Sequence, residues 1–186
     1  MTTPFQVSSG RLAVPVGEED HIRGEAGAPV TLVEYGDYQC PYCGMAHPIV
    51  AELLRQRRGI VRLVYRHFPL ANVHRFAELA AEVAEAAGVR GRFWQMHDWL
   101  FEHQDLIDPV NLRLAVEGLG MDAKAVADEV DAHVYLSRIR RDFIGGVRSG
   151  VNGTPTFFIN GVRHDGGYSL VELEHAVDEA AATARL

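Results

Sequence analysis

The sequence predicts an α/β fold in which a β-α-β unit and a β-β-α unit are separated by a block of helices. Three observations predict it. Two apolar, β-branched runs, residues 30–35 and 60–65, bracket a segment of helical pattern. Between residues 73 and 149 the apolar residues recur at helical spacing. After Gly153 a short apolar run meets Asn160-Gly161, a two-residue hairpin signal.

Residues 11–16 read as a short strand, and residues 17–29, rich in charge and glycine, as a loop. Residues 30–35 form a continuous apolar run, the pattern of a strand covered on both faces. A helix is predicted from Pro41 to about residue 58. Proline is well tolerated at a first helical position, and Ile49, Leu53 and Leu54 supply an apolar stripe. Pro48 falls inside that helix and is expected to kink it. Residues 60–65 give the second strand, so the first half is β-α-β with parallel strands and a right-handed crossover.

The middle of the chain reads as five helices. Phe76, Leu79, Ala80, Val83, Ala84 and Ala87 mark the first, and Phe93, Met96, Leu100 and Phe101 the second. Leu112, Ala115, Val116 and Leu119 mark the third, and Ala123, Val126, Ala127 and Val130 the fourth, with Asp122 as its N-cap. The fifth runs from about His133 to Ser149. Thr156 to Ile159 is then a strand, Val162 to His164 its antiparallel partner, and Ser169 with Glu172 forms a capping box that opens a final helix.

At 186 residues the chain suits one unit carrying an insertion, long enough to bury a core without staples. A net charge of −7 argues against nucleic acid as a partner. Residues 1–10 show no basic and apolar leader pattern, and no run has the length of a membrane span, so a cytoplasmic location and no membrane insertion are expected. A leader removed from the chain would leave the same sequence and a periplasmic or exported protein.

Cys40-Pro41-Tyr42-Cys43 holds the only two cysteines. A Cys-x-x-Cys pair where a strand turns into a helix is a redox signature. Cys40 at the helix N-cap faces unpaired N–H groups and the positive end of the helix dipole, which favour thiolate over thiol. Cys40 is therefore expected as the nucleophile and Cys43, one turn in, as the resolving thiol. A zinc site would need further ligands, and no second cysteine pair exists. Glu34 stands in an otherwise apolar strand six residues before Cys40, either pointing to solvent or buried as a proton acceptor. Tyr38, Pro41 and Tyr42 flank the pair as a rim for a partner's backbone. His97, His103 and His133 read as solvated, and Phe93, Trp94, Met96 and Trp99 as helix packing. Pro155, just before a strand, is out of place for an ordinary trans proline.

Four stretches together resemble the thioredoxin superfamily, and more closely its DsbA-like branch: VTLVEYGDYQCPYC (30–43), YRHFPL (65–70), GRFWQMHDWLFEHQ (91–104) and GTPTFFING (153–161). The resemblance implies a thioredoxin unit from residues 11–72 and 150–186, with a helical insertion over 73–149. It implies that Thr154-Pro155 is a cis-proline loop beside the cysteines, and that Glu34 is a buried carboxylate behind Cys43. Threonine before the proline and tyrosine inside the motif depart from the strongly oxidising members. The expected function is dithiol–disulfide exchange with protein thiols or disulfides, on the reductase or isomerase side, with a separate redox partner for recycling. No organic cofactor and no metal are needed, because the electrons reside on sulfur. The alternatives are a disulfide oxidase for exported proteins and, in another class, a redox-inactive adaptor or metal carrier.

Overall fold

The structure, a computed structural model, describes residues 10–184. The leader reading of the N-terminus rests on residues of which 1–9 lie outside that range. Five strands form one sheet in the order β1-β3-β2-β4-β5: β1 His21–Arg23, β2 Val30–Gly36, β3 Val61–His67, β4 Thr156–Ile159 and β5 Val162–Arg163. β2 and β3 run parallel, while β1 pairs with β3, and β4 with β2 and β5, antiparallel. The helices are α1 Pro41–Gln56, α2 Ala77–Gly88, α3 Phe93–Glu102, α4 Pro109–Gly118, α5 Ala123–Asp131, α6 Leu136–Arg148 and α7 Leu170–Thr183. This is the α/β fold with a helical block that the sequence predicts.

Strand alternation decides what the sheet covers. Side chains two apart share a face. Val30 and Leu32 of β2 and Val61 and Leu63 of β3 therefore pack with Val50 and Leu53 of α1 and Leu173 and Val177 of α7. Burying each such aliphatic side chain contributes about 1.5–3 kcal/mol. By the same alternation Glu34 points to the α1 side, and Val33, Tyr35 and Val64 pack on the other face with Phe68, Val151 and Phe158. Asn160 and Gly161 adopt φ of 48° and 80°, the left-handed pair that the two-residue hairpin requires. Asp122 accepts from the N–H groups of Lys124 and Ala125, and the Ser169/Glu172 capping box closes as expected.

Three readings are corrected. Residues 11–16 make no strand: Arg11 forms one isolated bridge to Val162, and the following residues are held by single bonds such as Leu12 N–H to Gly161 O. The loop before β2 contains the edge strand β1, whose three half-buried residues are too few to show alternation. α6 starts at Leu136, because His133 has a φ of 51° that ends helical geometry. Among the described residues, no helix is long and apolar enough to cross a membrane.

Candidate active site

The site begins at the carboxyl end of β2. Gly36 ends the strand, and four residues later Cys40 occupies the N-cap of α1 in extended conformation, with Pro41 at the first helical position. The loop between them is fixed by its own side chains. Asp37, buried, accepts from the N–H of Gln39 through Oδ1 at 2.8 Å, and from the N–H of Leu70 and His74 Nδ1 through Oδ2, both at 2.8 Å. Gln39 Oε1 accepts from the N–H of Phe76 at 2.5 Å. The loop is thus tied to the segment that leads into α2. Asp37 and Gln39 carried no assigned role in the sequence reading; the cue was an Asx residue just past a strand end.

Cys40 and Cys43 are free thiols. Cys40 Sγ lies 3.2 Å from the carbonyl oxygen of Thr154. The Thr154–Pro155 peptide is cis, as the resemblance implies. The Cys40 thiol is pulled down to about 5, first by a hydrogen bond from the Cys43 side chain and further by the Thr154 side chain and by the backbone N–H groups of Cys43 and Tyr42, against an opposing effect of burial. Cys43, fully buried, is pushed far up, by burial first and then by Cys40 and by the charge of Glu34.

Glu34 is 2% exposed, so the buried reading holds and the solvent-facing one does not. Burial and then the Cys40 charge raise its carboxyl to about 8. Among the described residues, its buried Oε1 meets no hydrogen-bond partner. Tyr42 is 61% exposed and stands on the rim with exposed Met45. Tyr38 is corrected: it is 1% exposed, stacks on Tyr65, and meets His97 Nδ1 through its hydroxyl at 3.1 Å. Its aromatic ring therefore packs the core and cannot form a rim. His97 is likewise buried, not solvated. Phe93 and Met96 are core, with Trp94 and Trp99 packed against it.

Among the described residues, two groups could offer donors to a metal ion: His21, His67 and Glu85, and His47, His97 and Asp98. In the first, both imidazole Nε2 atoms sit 2.8 Å from the same Glu85 oxygen. His67 Nδ1 is buried with no partner, so a metal on Nε2 would leave Nδ1–H without an acceptor, the reverse of the usual supported imidazole ligand. In the second, the Arg23 guanidinium holds both oxygens of Asp98 at 2.9 and 2.7 Å and would repel a cation. Neither group includes a cysteine, and neither donor set fits a metal centre.

The family model described as Thioredoxin matches residues 17–179. BdbD from Bacillus subtilis has a similar fold, with a TM-score of 0.83, 21% identity, and coverage of 95% of this chain and 99% of that one. A thioredoxin-like oxidoreductase from Silicibacter pomeroyi superposes with a TM-score of 0.80 at 27% identity, covering 89% of this chain and 94% of that one. Among curated proteins, the Na(+)/H(+) antiporter NhaA 1 of Salinispora arenicola is 48% identical over 176 residues, 94% of this chain but 27% of its own length. A protein of the same name from a Mycobacterium species is 37% identical over 163 residues, again 27% of its own length. The chain spans about a quarter of the length of the curated relatives it matches. With the sheet order, the cysteine pair at the mouth of α1 and a family match across most of its length, the chain belongs to the thioredoxin family, with a DsbA-like fold.

Proposed function

We propose that the protein is a dithiol–disulfide exchange enzyme acting on protein thiols and disulfides, on the reductase or isomerase side. One observation carries the exchange chemistry: two thiols one helical turn apart are perturbed in opposite directions, Cys40 down to about 5 and Cys43 far up. A nucleophile must be ionised at working pH, and a resolving thiol must stay protonated until it is needed.

In the reducing direction the Cys40 thiolate attacks one sulfur of a partner disulfide. The Cys40–partner bond forms, the partner's S–S bond breaks, and its other sulfur leaves as a thiolate. Cys43 then gives its proton to the Glu34 carboxylate and attacks Cys40 Sγ. The second partner sulfur leaves, and the enzyme ends as the Cys40–Cys43 disulfide, two electrons having passed to the partner. A carboxyl near 8 can take and return that proton around neutral pH. Thr154 and Pro155, with Pro41 and exposed Tyr42 on the rim, would hold an extended partner segment by backbone hydrogen bonds. The working division is a thioredoxin unit over 11–72 and 150–186 and an insertion over 73–149 that selects the partner. Recycling falls to a second redox protein.

A second reading, disulfide oxidase, is favoured by the low Cys40 value itself. A stabilised thiolate stabilises the dithiol form and makes the disulfide a better oxidant. Equilibration with glutathione separates the two: a reductase sits near about −270 mV, an isomerase near about −180 mV and a strong oxidase near about −120 mV. The match to a quarter of proteins named as sodium/proton antiporters makes such a transporter a partner to test.

Reduction of insulin disulfides in the presence of dithiothreitol tests the activity. The wild-type chain is expected to accelerate it, and Cys40→Ser to return it to background, with a zinc chelator changing neither. A wild-type chain that is inert in this assay and carries stoichiometric metal would replace this reading with the metal-carrier one.

A further inference from the structure

The two cysteines pack within the core of the helical insertion, beside Phe93, Met96, Leu100 and Phe101. One insertion side chain grips the active loop directly. Gln104 opens the short 3-10 turn that follows α3. Its Nε2 donates to the carbonyl of Tyr38 at 2.8 Å and to the carbonyl of Cys40 at 2.9 Å. The amide fits only this way round, because a flip would set its oxygen against two carbonyl oxygens. The Cys40 carbonyl also accepts the first bond of α1, from the Gly44 N–H at 3.1 Å. One nitrogen of the insertion therefore holds both the loop and the N-cap residue of the reactive helix.

The other end of the same amide explains a glycine. A Cβ at Gly44 would lie 2.0 Å from Gln104 Oε1. Glycine inside a helix is unfavourable, and here it leaves the space that the amide occupies.

We propose that Gln104 is a positioning residue that sets the reactivity of Cys40 from the insertion, by clamping the backbone on both sides of the Gln39–Cys40 peptide. The inference rests on Cys40 being the attacking thiol. Gln104 is not in the hydrogen-bond set of the sulfur; it holds the Cys40 main chain where Sγ meets the N–H groups of Tyr42 and Cys43. Without the clamp the thiolate loses part of that shell. The Cys40 pKa then rises, and the disulfide becomes a weaker oxidant.

The test is the pH profile of iodoacetamide alkylation at Cys40, together with the glutathione potential, in Gln104→Ala, Gly44→Ala and the double variant. Gln104→Ala is expected to move the alkylation midpoint up by about one unit, a fall of about fivefold in rate at pH 5. Gly44→Ala is expected to do the same by displacing the amide, although alanine ordinarily favours a helix. In the double variant the two effects should not add, since the second substitution removes what the first pushes aside. A Gln104→Ala or Gly44→Ala protein that melts lower but keeps the wild-type midpoint and potential would make Gln104 a mere packing residue and overturn the proposal. Additive shifts would overturn the shared mechanism. If Gln104→Ala does not fold, Gly44→Ala alone carries the same two outcomes. Alkylation needs no turnover, so a wild-type chain inert towards insulin would defeat the exchange activity and leave this measurement readable.

Discussion

Cys40 and Cys43 are the same side chain three residues apart, and the fold treats them oppositely. Cys40 ends the active loop at the mouth of α1, where the Cys43 thiol, the Thr154 side chain and backbone N–H groups all favour its thiolate. Cys43 lies inside, fully buried against the apolar core and near the Glu34 charge, where the thiolate is opposed from every side. Placement creates the difference: one helical turn carries a side chain from the N-terminal field and the Thr154 loop into the interior beside Glu34. A division of labour between attacking and resolving sulfur therefore needs no difference in residue type, only in placement.

Breaking the comparison at its second member has the largest expected effect. Cys43→Ser removes the resolving sulfur and keeps a hydroxyl able to donate to Cys40. We expect Cys40 to attack once, the mixed disulfide to accumulate, and multiple turnover of insulin to fall to background. Trapped adducts on a non-reducing gel check this, and undiminished turnover would show that another thiol resolves the intermediate.

Glu34→Gln sharpens the comparison at the proton. Resolution at pH 7 should slow by about a hundredfold, the lower end of general-base effects, while first attack by Cys40 is retained. Stability gives an independent sign. Glu34 titrates near 4.5 when unfolded and near 8 in the fold. A raised acid contributes its full stability below the lower value and loses it as pH climbs through the higher one. Glu34→Gln should therefore melt with wild type at pH 4 and above it at pH 9, by several degrees at least, on the order of the shift that a few kcal/mol gives. Equal melting curves at pH 9 would mean that the carboxylate is solvated after all.

Much of this was legible in the chain because it rests on local pattern. The parallel strands follow from two apolar runs around a helix, the hairpin from Asn160-Gly161, and the last helix from the Ser169/Glu172 box. The cysteine pair and Glu34 stood out as polar or reactive residues at positions where strand and helix pattern calls for others. What failed was tertiary. Tyr38 and His97 look like surface residues in isolation, and only the packing of the insertion over the active loop buries them. Asp37, Gln39 and Gln104 bond to backbone groups that lie 33 to 66 residues away, a relation no local pattern encodes. β1 is too short to announce itself, and its pairing with β3 supplies the signal that its sequence lacks.

The measurement closest to the central claim is the rate of iodoacetamide modification at each thiol of the reduced chain from pH 3 to 10, with mass spectrometry assigning the site. The account predicts a single midpoint near 5 belonging to Cys40, and no modification of Cys43 across the range. Two thiols reacting alike, with midpoints near the ordinary value of about 8.5, would contradict it.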